Sequence, residues 1–240
     1  MRRYDAVTFD MGYTLVHFRP SEHELTLSAF HSLGLYPDPH TLHQVRDEVW
    51  GAYFAGARQA TFEPSEERDL AVELELNRQM LARLGFDDPG LARPLWQAAK
   101  AAFSAPGAMC VYPEVHSVLR ELRTQGYRLG IVSNWSWDLE NYVRLAGLSE
   151  YLDVIIASAR AGCEKPHPEI FRQALAALEC RPERAIHVGD SHAADVVGAR
   201  SGGMDALWLD REGKDGHADC RAIRDLSEVL AVLAGGQGWR

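Results

Sequence analysis

Long apolar runs, basic runs and paired cysteines are all missing from this chain of 240 residues. No apolar stretch approaches the roughly 20 residues that a membrane-spanning helix needs. A formal net charge of −9 without a basic run argues against nucleic acid or an anionic membrane as the main partner. The cysteines form no C-x-x-C pair, which predicts reduced thiols instead of a zinc knuckle or a disulfide framework; they are Cys110, Cys163, Cys180 and Cys220.

The beginning of the chain also lacks the features of a secretion signal. Met1 precedes residues that enter a strand pattern, without a long apolar segment and a small-residue cleavage site. Hydrophobic residues at 46% and charged residues at 25% are ordinary for a globular protein. We therefore expect a cytoplasmic protein, a monomer or a homodimer, whose partner is a small molecule.

Strand and helix patterns divide the chain into two parts. Residues 4–10 are typical of a strand buried on both faces, whereas residues 21–105 show the spacing of four helices separated by three breaks. Strands then alternate with helices, which predicts a parallel sheet; strands are expected at 128–133, 153–158, 185–189 and 206–210, and helices at 113–125, 138–146, 168–178, 193–201 and 226–233. The predicted fold class is α/β, a Rossmann-like parallel-sheet core (residues 1–16 and 108–240) with an all-helical insert (residues 17–107) after the first strand.

Three of these strands end at residues that suit catalysis, and open α/β sheets bind ligands at that edge. Asp10 is followed by a turn containing Gly12, which suits a nucleophile or a metal ligand. Ser133 ends another strand, and its hydroxyl and backbone N–H suit a phosphate oxygen. Asp190 and Asp195 flank the start of a helix, and two carboxylates there suit Mg²⁺.

Lysine occurs only at positions 100, 165 and 214, so few positions can supply an essential lysine. Lys165 precedes Pro166 and is therefore expected in an extended or turn segment, where its ammonium group suits a phosphate or a carboxylate. Each of these residues, taken alone, also fits a plain structural role: Asp10 as a turn former, Ser133 or Asp190 as a helix cap, Lys165 as a solvated side chain.

Four motifs, in this order, resemble those of the haloacid dehalogenase (HAD) superfamily, in subfamily I with a helical C1 cap. They are FDMGYTL at residues 9–15, VSN at 132–134, KPHPEIF at 165–171 and HVGDSHAAD at 187–195. The resemblance covers the whole chain. It implies a Mg²⁺-dependent hydrolase, in the first place a phosphatase that acts on a small phosphorylated molecule.

The resemblance also implies a role for each site residue. Asp10 would attack phosphorus and form an aspartyl-phosphate, while Ser133 and Lys165 hold the phosphoryl oxygens. The metal ligands implied are Asp10, the backbone carbonyl of Gly12 and Asp190, with Asp195 supporting the site; Thr14 and Asn134 are further expected to bind the substrate.

Gly12 departs from the pattern of the family's phosphatases, which carry a second Asp two residues after the nucleophile. That Asp protonates the leaving alcohol and activates water. A positioned acid or base contributes about 10²–10⁴ in rate, so its loss weakens the case for efficient turnover of alkyl phosphates. The metal would use only the backbone at this position, so Mg²⁺ binding should survive.

Family members that lack the second Asp suggest alternatives to the phosphatase function. Phosphonoacetaldehyde hydrolase needs a lysine in the cap for a Schiff base, and residues 16–99 contain none. A 2-haloacid dehalogenase needs no metal and usually has an altered fourth motif, whereas Asp190 and Asp195 are both present here. A third alternative is a catalytically weak protein whose cap binds a metabolite or a regulatory partner.

Overall fold

The computed structural model describes residues 3–57, 60–213 and 219–235. Among these residues, no helix combines the length and the apolar character needed to cross a membrane. By their contacts they fall into two compact units. The sheet unit holds residues up to Val16, residues 60–63 and the chain from Val111 onward; the helical unit holds His17–Ala57 and Pro64–Cys110.

Eight strands and ten α-helices are present in the described residues. The strands are β1 (Ala6–Phe9), β2 (Val16–Phe18), β3 (Met109–Val111), β4 (Arg128–Ser133), β5 (Val154–Ala157), β6 (Ala185–Gly189), β7 (Asp205–Leu209) and β8 (Arg221–Ile223). The helices are α1 (Glu22–Ser32), α2 (Pro39–Ala57), α3 (Glu66–Arg83), α4 (Ala92–Phe103), α5 (Val115–Thr124), α6 (Leu139–Leu145), α7 (Ser158–Ala161), α8 (Pro168–Ala177), α9 (Gly198–Ser201) and α10 (Glu228–Ala234).

The sheet unit is built on six parallel strands in the order β5-β4-β1-β6-β7-β8. Every residue of β1 is buried, as expected for a strand covered on both faces. Phe9, its last residue, pairs with Ile131 of β4 on one side and Val188 of β6 on the other. The register therefore places the residues that follow these strands at one edge of the sheet.

Apolar side chains of the crossover helices cover this sheet. Ile170 and Phe171 of α8 are fully buried in one cluster with Val132 of β4 and Ala185 of β6. Burying a Phe or Ile side chain contributes about 1.5–3 kcal/mol. This packing fixes the strands whose ends carry the candidate catalytic residues.

The helical unit has its own apolar core, in which Phe30 of α1, Leu81 of α3 and Leu95 of α4 are buried together. Two of its helices, α1 and α3, begin at capping serines. Ser21 and Glu24 form a reciprocal capping box at α1, and the Ser65 side chain accepts a hydrogen bond from the Arg68 N–H at α3.

The α/β class, the parallel sheet and the helical insert agree with the sequence prediction. Three short strands were not expected: β8 and the pair β2 and β3, which form a two-stranded ribbon. Strands of three residues are too short to show the alternation on which strand prediction depends. The helix expected at 193–201 begins instead as π-helix over His192–Val197 and continues as α9. The contacts also assign residues 60–63 to the sheet unit, where the Phe62 N–H donates to the Gly162 carbonyl at 2.8 Å.

Candidate active site

The ends of three neighbouring strands bring together the residues that the motifs predict. Ser133 is the last residue of β4, and Asp10 and Asp190 directly follow β1 and β6. The backbone N–H of Asp10 donates to the Val188 carbonyl at 2.9 Å, which continues the β1–β6 pairing up to this residue. The carboxylate at position 10 is thus held by the sheet itself.

Lys165 reaches the same edge from the loop before α8, and Asn134 fixes its backbone. The Lys165 N–H donates to Asn134 Oδ1 at 2.6 Å, and Asn134 Nδ2 donates to the Lys165 carbonyl at 3.1 Å. The Lys165 side chain is only 3% exposed. A buried ammonium needs anionic partners, and two carboxylates provide them.

The lysine connects two of the three aspartates. Lys165 Nζ donates to Asp10 Oδ1 and to Asp195 Oδ1, each at 2.6 Å. Ser133 Oγ also donates to Asp10 Oδ1, at 2.8 Å. Because both bonds fall on Oδ1, Asp10 Oδ2 accepts no hydrogen bond from the part of the chain that the structure describes. That oxygen is available to attack an electrophile or to bind a metal.

Asp195 is held by hydrogen bonds to both of its oxygens. Besides Lys165, Oδ1 lies 3.1 Å from His187 Nε2, and Oδ2 accepts from the Ser191 N–H at 2.9 Å. Thr8 Oγ1 lies 2.8 Å from His187 Nδ1. A neutral imidazole that donates from Nε2 and accepts at Nδ1 satisfies both contacts. Asp195 is therefore held with its Oδ1 against Lys165.

Three carboxylates share this small space: one oxygen each from Asp10, Asp190 and Asp195 lie within 4.8 Å of one another. Only one cation, Lys165, faces them in the described contacts. Burial, reinforced by the charges of Asp10 and Asp195, raises the pKa of Asp190 to about 8. Burial, reinforced by the Asp195 charge, also raises the pKa of Asp10, although Lys165 opposes this.

Burial and neighbouring charges also shift the pKa values of Asp195, Lys165 and His187. Burial alone would raise the pKa of Asp195, but the Lys165 charge and the His187 hydrogen bond outweigh it and hold that pKa below its usual range. Burial would lower the pKa of Lys165, but the carboxylates of Asp10 and Asp195 outweigh it and raise that pKa. Burial lowers the pKa of His187, which favours the neutral ring.

A buried aspartate beside a lysine fits both a phosphoryl-transfer site and a dehalogenase site. A family model described as haloacid dehalogenase-like hydrolase matches residues 4–203. The chain belongs to this hydrolase family. The match spans the strands that carry Asp10, Ser133 and Asp190 as well as the helical unit.

Two curated relatives and one solved structure show the range of the family. The chain is 32% identical over 166 residues to bovine haloacid dehalogenase-like hydrolase domain-containing protein 3, covering 67% of this chain and 66% of the relative. It is 36% identical over 151 residues to phosphoserine phosphatase of Thermus thermophilus, covering 61% and 59%. A 2-haloacid dehalogenase from Pseudomonas syringae has a TM-score of 0.70 at 26% identity, covering 97% of this chain and 99% of that structure. The chain thus spans less than two thirds of the length of these curated relatives.

The phosphatases of this family are expected to carry an aspartate at the position of Gly12. The backbone conformation at this position does not require glycine. A Cβ built at Gly12 meets only Trp135, at 3.8 Å, which is ordinary van der Waals contact. The left-handed backbone of this turn lies instead at Tyr13, with φ of 52°. A side chain at position 12 is therefore sterically acceptable.

Thr14 and Asn134 were both expected to bind the substrate. Their side chains differ in whether they already have a hydrogen-bond partner within the fold. The Thr14 hydroxyl is buried and has no hydrogen-bond partner among the described residues. Arg211 Nη2 donates to the Thr14 carbonyl at 2.9 Å, and the guanidinium stacks 3.6 Å from the centre of the Tyr112 ring. The Asn134 amide is occupied by the Lys165 backbone. Substrate contacts of both residues stay a prediction.

Gly189 is required by the close approach of Asp195. A Cβ at Gly189 would lie 2.2 Å from Asp195 Cγ, closer than two carbon atoms pack. Gly189→Ala should displace the Asp195 carboxylate and with it Lys165. Because a misplacement of about 1 Å costs about 10²-fold in rate, we expect hydrolysis to fall at least about a hundredfold. Gly12→Ala is the matched control, and equal losses in both variants would contradict this role of Gly189.

Three residues of the site were given no role from the sequence, although one of them, His187, lies within the fourth motif. His187 and Thr8 lie inside buried strands, where a polar residue among apolar neighbours is the one available signal. Arg211 follows β7, and its partners Thr14 and Glu114 are far from it in sequence. These contacts depend on the register of the sheet, which the sequence pattern alone does not provide.

Proposed function

We propose that the protein is a Mg²⁺-dependent phosphatase that hydrolyses small-molecule phosphate esters through an aspartyl-phosphate at Asp10. The observation that carries the proposal is the pair of hydrogen bonds on Asp10 Oδ1, from Lys165 and Ser133. They hold the carboxylate while Oδ2 accepts no bond in the described structure. The 36% identity to a phosphoserine phosphatase supports phosphate chemistry over other reactions of the family.

The donor set fits Mg²⁺. All candidate ligands are oxygens, which Mg²⁺ prefers, and three carboxylates face a single ammonium group. Burial and the charges of Asp10 and Asp195 raise the pKa of Asp190, and a bound cation would offset those charges. Asp10, Asp190 and the backbone carbonyl of Gly12 would hold the ion. Mg²⁺ bound there would supply charge neutralisation for the phosphoryl oxygens.

The chain's own residues account for the covalent chemistry of the proposal. Asp10 attacks phosphorus, so a bond from the carboxylate oxygen to phosphorus forms as the bond to the ester oxygen breaks. Lys165 and Ser133 stabilise the charge on the phosphoryl oxygens. Water then cleaves the aspartyl-phosphate. Gly12 offers no acid or base for either step, so the leaving oxygen takes its proton from solvent.

The second candidate is a 2-haloacid dehalogenase, in which the same carboxylate displaces halide from carbon. It is favoured by the TM-score of 0.70 to a solved 2-haloacid dehalogenase and by the absence of a carboxylate at position 12. The cluster of Asp10, Asp190 and Asp195 favours the phosphatase, because halide displacement needs no metal.

Parallel assays separate these functions. Phosphate release from p-nitrophenyl phosphate is measured with Mg²⁺ and with chelator, beside chloride release from 2-chloropropionate. Phosphate release that stops with chelator is the expected result. Chloride release that persists with chelator would establish the dehalogenase, and neither release would indicate a binding or regulatory protein.

The proposed metal site also predicts how stability depends on pH. Folding raises the pKa of Asp190 from 3.8 to about 8, so the folded chain binds more protons than the unfolded chain, and the free energy of unfolding falls as pH rises towards 8. The lowered pKa of His187 acts in the opposite direction, but mainly below its unfolded value of roughly 6.5. Metal-free protein should therefore lose stability between pH 6.5 and 8.5.

Urea denaturation at several pH values measures this slope. Mg²⁺ should oppose the loss and stabilise more at pH 8.5 than at pH 6.5, because it competes with the proton on Asp190. Asp190→Asn should flatten the slope and remove the Mg²⁺ effect. A slope that is the same in that variant would show that other groups cause it.

The remaining expectations extend the proposal. The substrate would be a small phosphorylated molecule. The protein would act in the cytoplasm, as a monomer or a homodimer. The net charge of −9 disfavours nucleic acid and anionic membranes as partners.

A further inference from the structure

Three metal-ligating side chains converge on the helical unit, outside the active site. His23 lies on α1, and His43 and Asp47 lie on α2. His23 Nε2 is 3.2 Å from Asp47 Oδ1, and His43 Nε2 is 3.3 Å from Asp47 Oδ2. One ligand atom from each residue lies within 4.8 Å of the others. Both imidazoles therefore point their Nε2 atoms at one carboxylate.

Local structure explains why these atoms meet. His43 and Asp47 are four residues apart on α2, so they lie on the same face of the helix. His23 belongs to the first turn of α1, whose start is fixed by the capping box of Ser21 and Glu24. The two imidazole rings have centroids 3.3 Å apart.

We propose that His23, His43 and Asp47 form a binding site for a zinc-class divalent metal. Zn–N and Zn–O bonds of about 2.0–2.1 Å place the ligands of a tetrahedral ion roughly 3.3–3.4 Å apart. Each imidazole Nε2 lies at about such a distance from one oxygen of Asp47, His23 from Oδ1 and His43 from Oδ2. Rotation of the side chains closes the remaining separation.

The chemistry of the ligands separates this site from the active site. Two imidazoles with one carboxylate suit Zn²⁺, Cu²⁺ or Ni²⁺, whereas the carboxylates at Asp10 and Asp190 suit Mg²⁺. Side chains of His23, His43 and Asp47 are 35%, 48% and 54% exposed, so water can supply the fourth ligand. The metal would join α1 to α2.

Arg46 is the neighbouring charge that opposes the metal. Its Nη1 lies 3.6 Å from Asp47 Oδ1. However, Arg46 Nη2 is paired with Glu22, which offsets its charge and directs part of the guanidinium to that carboxylate. The repulsion weakens binding without occupying the Nε2 atoms of His23 and His43.

Zinc titration of the metal-free full chain tests the site, with a chromophoric chelator as competitor. Wild type should bind one more equivalent of Zn²⁺ than His43→Gln or Asp47→Asn. Loss of an outer-shell partner of a metal site costs about 10–100-fold in affinity, so loss of a ligand should cost at least about tenfold. His40→Gln, on the same helix but outside the cluster, is the matched control and should bind as wild type does.

A second cluster, formed by His192, Asp219 and Cys220, also groups metal-ligating atoms in the sheet unit. Zinc bound there would be unaffected by substitutions on α2, so the difference between His43→Gln and His40→Gln isolates the proposed site. Circular dichroism checks that each variant is folded, and His23→Gln on α1 provides an independent variant. Co²⁺ absorption in the visible range reports four-coordinate binding directly. Equal stoichiometry and affinity in wild type, His23→Gln and His43→Gln would overturn the proposal.

Discussion

Asp10→Asn should abolish phosphate release, with a loss of at least about a thousandfold in kcat, because a neutral amide cannot act as the covalent nucleophile. The fold should survive. Lys165 keeps its second carboxylate partner, Asp195 at 2.6 Å, and the Asn side chain retains an oxygen for Ser133 to donate to. Steady-state assays on p-nitrophenyl phosphate measure the loss, and thermal unfolding checks the structure.

The matched control is Asp87→Asn, the same chemical change at an exposed position of the helical unit. It should leave both rate and stability unchanged. Phosphate release by Asp10→Asn at the wild-type rate would remove Asp10 as nucleophile. A variant that loses activity together with its unfolding transition would require Asp10→Glu as a second, charged replacement.

Gly12→Asp should raise turnover of an alkyl phosphate by about a hundredfold or more. A positioned acid or base contributes about 10²–10⁴ in rate, and alkyl leaving groups depend on protonation most strongly. The structure has room for the side chain, since the nearest atom to a Cβ at position 12 lies 3.8 Å away. Rates on ethyl phosphate and p-nitrophenyl phosphate, compared in wild type and variant, measure the effect.

In the wild-type enzyme, the missing acid and base at position 12 should affect both chemical steps. Aryl phosphates should react much faster than alkyl phosphates, and a burst of p-nitrophenol should precede slower turnover, because the water that resolves the aspartyl-phosphate is not activated. Gly12→Asn has nearly the same shape as Gly12→Asp without the acid, so it should not raise the rate. Similar wild-type rates on both esters, with no burst, would show that another side chain transfers the proton.

The strands that carry the site could be predicted from the sequence because each is a short apolar run that ends in a polar residue. Val7 and Phe9 before Asp10, and Ile131 and Val132 before Ser133, are such runs. Parallel pairing then brings the ends of neighbouring strands together, since all of them point the same way. The structure confirms the predicted fold class, and the matching family model confirms the predicted family.

The contacts within the site could not be predicted in the same way. That Lys165 would contact both Asp10 and Asp195 depends on the position of a loop, which Asn134 fixes through backbone hydrogen bonds. The support from His187 depends on the β1–β6 register, in which Thr8 lies opposite it. Neither sequence spacing nor periodicity contains that information.

The start of the helix after β6 was missed for a related reason. The segment from His192 forms π-helix, and Ser191 donates its backbone N–H to Asp195 Oδ2. An ordinary α-helical start would place Asp195 differently. The helix therefore departs from regular α-helical geometry where the Asp195 carboxylate faces the site. Helix propensity does not predict such a departure.

The anchoring of the chain around Arg211 has a consequence for protein engineering. Thr14, whose carbonyl accepts from Arg211, precedes the long insertion, and Tyr112, on whose ring Arg211 stacks, follows it. The Tyr112 N–H donates to the Leu15 carbonyl at 3.1 Å, so the two ends of the insertion are already neighbours. A tight two-residue turn is long enough to join such ends. The sheet unit is thus suited to receive a different insertion, or only a short loop, without moving the strand that positions Asp10.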